Sequence, residues 1–344
     1  KECAKPPARW CCSSYASESE YHYSSFLIRH SSFQTGESMK IDVVVAGAMV
    51  SLFGAMLAEA GNDVWLCDVW REHVRSINQN GLRIEREGKT CTVEIKATDN
   101  PLQVGRAELV IVFVKSSQTN LAAETAKAIV GSDGTVMTLQ NGMGNADVIA
   151  DYIEPQRVLA GTTSHGATLL GPASIRHAGC GPTTIGAWSQ AEGGLQRAGQ
   201  FAEFFNRAGI KTESVADVRS VIWNKLLINI GINAITALTH IKNGQILDLE
   251  ITRELIRNAV AEAMSVAQVE NIKVQDDVLD HVFKVAEATA LNRSSMGQDV
   301  DNRRQTEIAA INGFIVREAK RLGLKAPVNF ALTALVETLQ YHYK

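Results

Sequence analysis

One segment of the sequence places polar side chains at a spacing that suits catalysis. Lys225, Asn229 and Asn233 are four residues apart, so on a helix they lie along one stripe. Their neighbours are mostly Leu, Ile and Trp, which predicts that the helix is largely buried. A buried ammonium group and two buried amides are costly unless they have partners. The stripe therefore indicates a polar cleft, and a structural hydrogen-bond network is the alternative.

A lysine in such a cleft can act as a proton donor. Burial lowers the pKa of a lysine toward neutral pH, and its ammonium group stabilises a developing alkoxide. Amides such as those of Asn229 and Asn233 can bind a carboxylate or a hydroxyl group. The segment therefore favours chemistry on a small polar substrate, with Lys225 as the acid.

A second segment has the position of a phosphate-binding turn. A dinucleotide-binding domain usually carries G-x-G-x-x-G between its first strand and helix, where backbone N–H groups meet the pyrophosphate. Gly47 occupies the middle position, and Val45 and Val50 replace the outer glycines. Gly47 is the glycine nearest the phosphates, so the turn is compatible with nucleotide binding. We expect the two valines to weaken that binding.

The choice between NAD and NADP stays open at the residues that follow the next predicted strand. Asp68 stands where an acid usually binds the ribose 2′-hydroxyl of NAD. Arg71 lies three residues later and would accommodate the 2′-phosphate of NADP. The alternative interpretation of Arg71 is a surface charge at the start of a helix.

Alternating strands and helices surround these segments. The apolar, β-branched run at 41–45 predicts a strand buried on both faces, followed by a helix at 48–60 and a strand at 64–67. The alternation continues to about residue 216 and includes a hairpin that turns at Glu87-Gly88. Beyond it the pattern is helical, at 218–238, 251–269, 277–288, 306–322 and 327–341.

The sequence therefore predicts an α/β protein with three parts. An N-terminal Rossmann-like, doubly wound sheet covers 39–216 and binds a dinucleotide, and an all-helical C-terminal domain over 217–344 binds substrate and carries the catalytic lysine. Residues 1–38 are rich in Ser, Tyr and Cys, and their acidic residues argue against a transit peptide. We interpret them as a disordered extension or a segment added by cloning.

Bulk composition excludes several classes of protein. The 344 residues are 45% hydrophobic, enough for two domains, and the net charge of −3 comes with no polybasic segment, so we expect no nucleic-acid partner. No apolar run reaches the length of a membrane span. The six cysteines lack zinc or redox spacing, and nothing in the sequence pairs with His165 or His177. We predict a cytoplasmic protein that binds no metal.

From Met39 nearly to its end, the sequence resembles the ketopantoate reductase family, the 2-dehydropantoate 2-reductases. The resemblance rests on separated motifs in the same order: Met39-Lys40-Ile41, Ala48-Met49, Val114-Lys115, Gln140-Asn141-Gly142, Asn224-Lys225, the stretch 294–299, Thr306-Glu307-Ile308 and Asn312-Gly313. It implies an NADP-dependent oxidoreductase that uses NADPH to reduce the ketone of ketopantoate to pantoate, in pantothenate biosynthesis.

The resemblance also implies roles in catalysis and substrate binding. Lys225 would be the general acid that protonates the new alkoxide. Glu307 would hydrogen-bond the substrate hydroxyl and orient Lys225, although an acid near a helix start is also favoured by the helix dipole. The substrate carboxylate and hydroxyl would be held by Asn229, Asn233 and Ser295. Ser295 has the alternative role of a helix cap.

Cofactor contacts are implied in the same way. Asn141 would lie between cofactor and substrate, and Lys115 would lie near the nicotinamide ribose. A plain turn and a surface charge are the respective alternatives. Arg71 would approach the 2′-phosphate, and the pyrophosphate would face Gly47, Ala48 and Met49.

Two rival functions fit the same residues. One is a paralogous reductase that acts on another 2-keto acid on the same scaffold. The other is a non-catalytic binding protein with impaired cofactor affinity, which Val45 and Val50 favour. The apolar helices of the second half would serve either a homodimer interface or only the core.

Overall fold

The computed structural model describes residues 38–44 and 47–343, so Val45 and nearly all of the predicted extension over 1–38 lie outside the described residues. Within the described residues, the strands are β1 (Lys40–Val44), β2 (Asp63–Cys67), β3 (Leu82–Arg86), β4 (Lys89–Val93), β5 (Lys96–Thr98), β6 (Ala107–Val112), β7 (Val130–Thr138), β8 (Val158–Thr163), β9 (Gly166–Gly171), β10 (Ser174–Gly179), β11 (Thr183–Ala187) and β12 (Thr212–Ser214). The α-helices are α1 (Ala48–Glu59), α2 (Arg71–Asn80), α3 (Thr119–Ile129), α4 (Asn145–Ala150), α5 (Gly194–Arg207), α6 (Val218–Thr239), α7 (Glu250–Val269), α8 (Val278–Ala288), α9 (Ser295–Asp301), α10 (Asn312–Arg321) and α11 (Pro327–Tyr341).

Eight strands form a doubly wound sheet in the order β12-β11-β8-β7-β6-β1-β2-β5. Neighbours pair in parallel except for β8 and β11. Side chains of α1 and α5 share one hydrophobic cluster with Ile41 and Val43, and side chains of α3 share another with Val44. Because successive residues of β1 point to opposite faces, both faces of the sheet are covered. The predicted fold class is therefore confirmed.

Four further strands form a second, smaller sheet in the order β4-β3-β10-β9. The predicted hairpin is confirmed, because β3 and β4 pair antiparallel around Glu87 and Gly88, which both have positive φ. Ile84 of β3 and Ile175 of β10 belong to the same hydrophobic cluster as side chains of α1. The sequence pattern did not indicate this second sheet, because β3 pairs with β10, a strand about ninety residues further along the chain.

The long helix α6 is the centre of the helical half. Asp217 accepts a hydrogen bond from the Ser220 N–H at 3.1 Å and caps its N-terminus. Trp223, Leu226 and Leu227 are buried, and they share one cluster with α3, α7 and α8. By length and composition α6 would cross a bilayer, contrary to our expectation that no segment would, but 67% of its 18-residue apolar window is buried inside the protein. This is the burial of a core helix.

In the helical half one predicted helix begins later than expected, and one helix was not predicted. The helix expected over 306–322 begins only at Asn312, because a 3₁₀ turn at Ile308–Ala310 comes first and Ile311 has non-helical dihedral angles. The short helix α9 was not predicted, because its seven residues show no apolar period. Both departures place polar side chains beside α6, as described next.

Candidate active site

Two predicted site residues and the end of a third strand lie together at the carboxyl edge of the large sheet. Lys115 follows β6, Asn141 follows β7, and Thr163 is the last residue of β8. These strands are neighbours and run parallel, so their ends lie side by side. In open α/β sheets, ligands bind outside the carboxyl ends of the strands. The topology therefore brings together residues that are far apart in the sequence.

Helix α6 brings Lys225 to this edge. Its Nζ donates a hydrogen bond to the Thr163 carbonyl oxygen at 2.9 Å. Burial lowers the pKa of Lys225 to about 8, and the Glu307 carboxylate opposes this shift. A lysine with such a pKa is mostly protonated at neutral pH and still releases its proton more readily than an ordinary lysine.

Glu307 lies opposite, on the segment that precedes the 3₁₀ turn. It is buried, and its carboxylate accepts a hydrogen bond from Asn141 Nδ2 at 3.2 Å. Burial raises the pKa of Glu307, and Lys115 and the Asn141 hydrogen bond oppose the rise. Glu307 is the N-cap of the 3₁₀ turn Ile308–Ala310 and lies five residues before α10.

Lys115 has a partner that sequence reasoning did not identify. Its Nζ lies 2.5 Å from Asp299 Oδ2, so α9 is tied to the end of β6. Burial raises the pKa of Asp299, and Lys115 opposes the rise. Asp299 belongs to a stretch that carries the family resemblance, and its position four residues after Ser295 was the available signal. Lys115 is thus paired with a mostly buried carboxylate, and its role toward the cofactor stays a prediction.

The predicted substrate-binding residues differ in burial. Asn233 is 5% exposed, and its Nδ2 has no hydrogen-bond partner among the described residues. An amide donor left in this condition costs about 1–3 kcal/mol and is satisfied by a suitable ligand. Asn229 is half-buried, one turn before it. The predicted stripe is thus graded from half-buried to buried, with an unsatisfied donor at its inner end.

Ser295 is exposed at the first position of α9. The alternative that Ser295 caps this helix is wrong, because the Ser294 hydroxyl accepts the Gly297 N–H at 2.9 Å. Ser294 also hydrogen-bonds Thr236 of α6 at 2.7 Å. The pair leaves the Ser295 side chain at the surface of the fold, and its role toward substrate stays a prediction.

The start of α1 can accept a phosphate group. Gly47 is the N-cap, and no side chain caps the helix. A Cβ built on Gly47 would meet nothing within 4 Å, and Ala48 and Met49 are only partly buried. The first N–H groups of a helix have no partner within it and attract anions. These residues therefore fit the pyrophosphate of a dinucleotide.

Val50 occupies the third fingerprint position without projecting to solvent. It is 0% exposed and belongs to the cluster that packs α1 against the sheet.

Arg71 has an 80% exposed side chain that forms an ion pair with Asp99 at 3.0 Å. The Asp68 carboxylate accepts the Trp70 N–H at 2.9 Å, so it orders the loop before α2. Asp68 and Arg71, the two residues expected to distinguish NAD from NADP, thus both contact other groups of the protein.

One expectation about histidines is wrong. His165 and His177 do have a partner, because His165 Nδ1 lies 3.1 Å from His177 Nε2. Burial lowers the pKa of His165 to about 4, and the neighbouring His177 contributes to the lowering. The pairing of β9 with β10 thus brings together, close to Thr163, His165, which precedes β9, and His177, which lies in β10.

The turn that holds Asn141 offers a test of the site's construction. Gly142 has a φ of +84°, and a Cβ there would lie 2.5 Å from the Ala310 oxygen, on the 3₁₀ turn after Glu307. Gly144 has a φ of +90°, and its Cβ would meet nothing. We expect Gly144→Ala to lower the free energy of unfolding by about 1–2 kcal/mol through the backbone alone. Gly142→Ala should cost about 1–3 kcal/mol more, because of the clash.

Urea denaturation of the two variants measures this difference. Equal losses in the two variants would contradict the close contact between the Asn141 turn and the Glu307 segment. We also expect Gly142→Ala, and not Gly144→Ala, to reduce kcat, because only the first displaces Asn141 from Glu307.

Comparison with known proteins finds the same family over both halves of the chain. Residues 41–190 match the family described as "Ketopantoate reductase PanE/ApbA", and residues 217–340 match its C-terminal domain. Among curated relatives, a 2-dehydropantoate 2-reductase of Halobacterium salinarum is 36% identical over 305 residues, which are 88% of this chain and 99% of that protein. Its counterpart in Pyrococcus horikoshii is 37% identical over 300 residues, 87% of this chain and 97% of that protein.

Two solved structures have a similar fold over the same range. A ketopantoate reductase from Ralstonia eutropha is 33% identical with a TM-score of 0.81, covering 89% of this chain and 99% of that one. D-mandelate dehydrogenase, solved with NADH and anilino(oxo)acetate, is 28% identical with a TM-score of 0.83 over the same shares of both chains. The similarity therefore includes an enzyme that is named a dehydrogenase.

Proposed function

The chain belongs to the ketopantoate reductase family, whose members are oxidoreductases, and from this we propose that it reduces 2-dehydropantoate to pantoate with NADPH. The observation that carries the proposal is the meeting of Lys225, Asn141 and Glu307 where α6 crosses the carboxyl edge of the parallel strands. An acid, a buried carboxylate and an amide at one edge suit the reduction of a polar ketone.

In the proposed reaction the chain supplies a proton and holds the substrate. The bound nicotinamide supplies the hydride that reduces the C2 ketone. Lys225 donates a proton from Nζ to the ketone oxygen, while the Thr163 carbonyl fixes the position of that nitrogen. Lys225 then regains a proton from solvent. Glu307 accepts a hydrogen bond from the substrate hydroxyl, and its charge keeps Lys225 protonated.

Substrate and cofactor would contact different parts of the same edge. We assign the substrate carboxylate and hydroxyl to Asn229, Asn233 and Ser295, with support from the unsatisfied Asn233 donor. Asn141 would lie between substrate and nicotinamide, Lys115 would lie near the nicotinamide ribose, and Arg71 would turn from Asp99 to the 2′-phosphate. The pyrophosphate would lie on the open helix start at Gly47, Ala48 and Met49. We further propose a role in pantothenate biosynthesis, in the cytoplasm, with a homodimer as the assembly.

Steady-state kinetics with several keto acids tests the proposed substrate. The purified chain should oxidise NADPH when ketopantoate is added, with a kcat/KM at least about tenfold above that for smaller or phenyl-bearing 2-keto acids. The similarity to D-mandelate dehydrogenase favours phenylglyoxylate, the keto acid of mandelate, as the competing substrate. A higher kcat/KM for phenylglyoxylate would identify the chain as a reductase of another 2-keto acid.

The valines of the turn give a prediction about cofactor affinity. Val45 stands where a glycine permits the tight turn, and Val50 stands where a glycine lets the helix pack closely on the strand. We therefore expect Val45→Gly/Val50→Gly to tighten NADPH binding by about tenfold. Val50→Gly also empties part of the core, so the unfolding midpoint should fall. NADPH fluorescence titration measures the affinity, with Val43→Ala on β1 as the control for lost core packing.

The same titration decides the rival function. Saturable binding of NADPH below millimolar concentration by the unaltered chain supports a working reductase. If only the double variant bound NADPH, the chain would be a binding protein that has lost its cofactor. Binding of NADH in preference to NADPH would contradict the proposed cofactor.

A further inference from the structure

Three side chains with metal-binding atoms lie together behind the catalytic edge. His165 follows β8, His177 lies in β10, and Cys180 comes just after β10. One ligand atom from each lies within 4.8 Å of the other two. None of these residues has a part in the proposed reduction, and the cluster was not apparent from the sequence, since its members have no metal-ligand spacing.

We propose that His165, His177 and Cys180 bind one Zn²⁺ ion or another divalent transition metal of similar softness. Two imidazoles and a thiolate are ligands that zinc prefers, and three protein ligands leave a fourth position for water. Tetrahedral zinc with bonds of about 2.0–2.1 Å to nitrogen holds two ligand nitrogens about 3.3 Å apart. The observed separation of His165 Nδ1 and His177 Nε2 is 3.1 Å.

The fold holds the cluster in place. The His165 ring packs edge-on against Phe53 of α1, with centroids 5.7 Å apart, and its backbone N–H donates to Thr163 Oγ1 at 3.2 Å. Gly181 lets the two chain segments approach, because a Cβ there would lie 2.6 Å from the Ser164 Cβ. The backbone of His165 is therefore held in place, and the exposed Cys180 lies where an ion can enter.

Metal binding balances with the loss of one proton. His165 Nδ1 and His177 Nε2 lie within hydrogen-bond distance of each other, so a hydrogen bond between them requires that one of the two carries a proton. On metal binding that ring would move its proton to its other nitrogen, and each imidazole would then bind the ion as a neutral group through the facing nitrogen. Both rings would turn toward Cys180, whose thiol would release its proton to solvent. The nearby Arg86 charge is offset by its ion pair with Glu59, at 2.9 Å.

The ion would join the end of β8 to the small sheet. Thr163, two residues before His165, accepts the hydrogen bond of Lys225, so the ion would brace the strand end that supports the catalytic lysine. The site does not depend on the identity of the substrate. Its test therefore has no step in common with the test of the proposed function.

Cobalt titration of the reduced full-length chain tests the site. We expect one Co²⁺ per chain, a thiolate-to-cobalt charge-transfer band in the near ultraviolet, and displacement by Zn²⁺. Cys180→Ser should abolish the band, and His177→Gln should weaken metal binding at least about tenfold. Zn²⁺ should raise the unfolding midpoint of the unaltered chain and leave that of Cys180→Ser unchanged.

Two controls exclude other sites. Replacing Cys3, Cys11 and Cys12 together with Ser should leave the stoichiometry and the band unchanged, as should His342→Gln. A band that survives in Cys180→Ser, or that disappears with the three N-terminal cysteines, would overturn the proposal. The proposal would also be overturned if Zn²⁺ left the unfolding midpoint of the metal-free, unaltered protein unchanged. Unfolding in EDTA checks that each variant is folded before metal is added.

Discussion

Lys225→Ala is expected to lower kcat by about 100-fold to 10,000-fold, the usual contribution of a positioned general acid, and to leave the NADPH dissociation constant near that of the unaltered chain. The two effects differ because Lys225 Nζ donates a hydrogen bond to the Thr163 carbonyl oxygen at the carboxyl edge of the large sheet, where we place the substrate. The proposed pyrophosphate contacts lie at the start of α1. Stopped-flow kinetics and NADPH titration measure the two quantities separately.

The matched control is Lys211→Ala, which removes an exposed lysine beside β12. Its kcat should equal that of the unaltered chain. If Lys225→Ala kept full kcat, Lys225 would not be the acid, and a selective loss of NADPH affinity would move the residue from catalysis to cofactor binding.

The pH dependence of kcat independently tests whether Lys225 is the general acid. A general acid acts in its protonated form, and the pKa of Lys225 is lowered to about 8. The rate should therefore be constant below about pH 8 and fall roughly tenfold per pH unit above it. Lys225→Ala should lack this basic limb. An ordinary lysine would place the limb more than two pH units higher.

Much of the scaffold is predictable from the sequence, because its signals are local. The β-branched run of β1 and the turn at Glu87-Gly88 each depend on a few adjacent residues. The spacing of Lys225, Asn229 and Asn233 likewise predicts a shared helix face. These features need no knowledge of what packs against them.

The parts that the sequence did not reveal depend on distant contacts. The second sheet requires β3 to pair with β10, and Lys115 meets Asp299 only after 184 residues of chain. The 3₁₀ turn before α10 is bound to the Asn141 loop, where the Met143 N–H donates to the Ala310 oxygen at 3.0 Å. Helical periodicity over 306–322 is present, but this tertiary contact overrides its first turn.

Glu307→Gln is expected to lower kcat by about 100-fold, because it removes the carboxylate that accepts the Asn141 hydrogen bond and that we place on the substrate hydroxyl. It should also move the basic limb of the pH profile. The Glu307 charge raises the pKa of Lys225, so without that charge the pKa falls and the rate declines from below about pH 8. A merely structural glutamate would lower the rate without moving the limb.

Glu337→Gln on α11 is the matched control, since it makes the same change at an exposed position. Its kcat and pH profile should be those of the unaltered chain. A limb that stayed in place in Glu307→Gln would mean that the carboxylate does not act on Lys225, and a shift to higher pH would show the opposite sign of coupling. The charges of Lys115 and Asp299 also act on Glu307. Glu307→Gln should therefore still move the basic limb to lower pH when it is made in the Asp299→Asn variant. That result would separate the effect of Glu307 on the pKa of Lys225 from the effect of the Lys115–Asp299 ion pair.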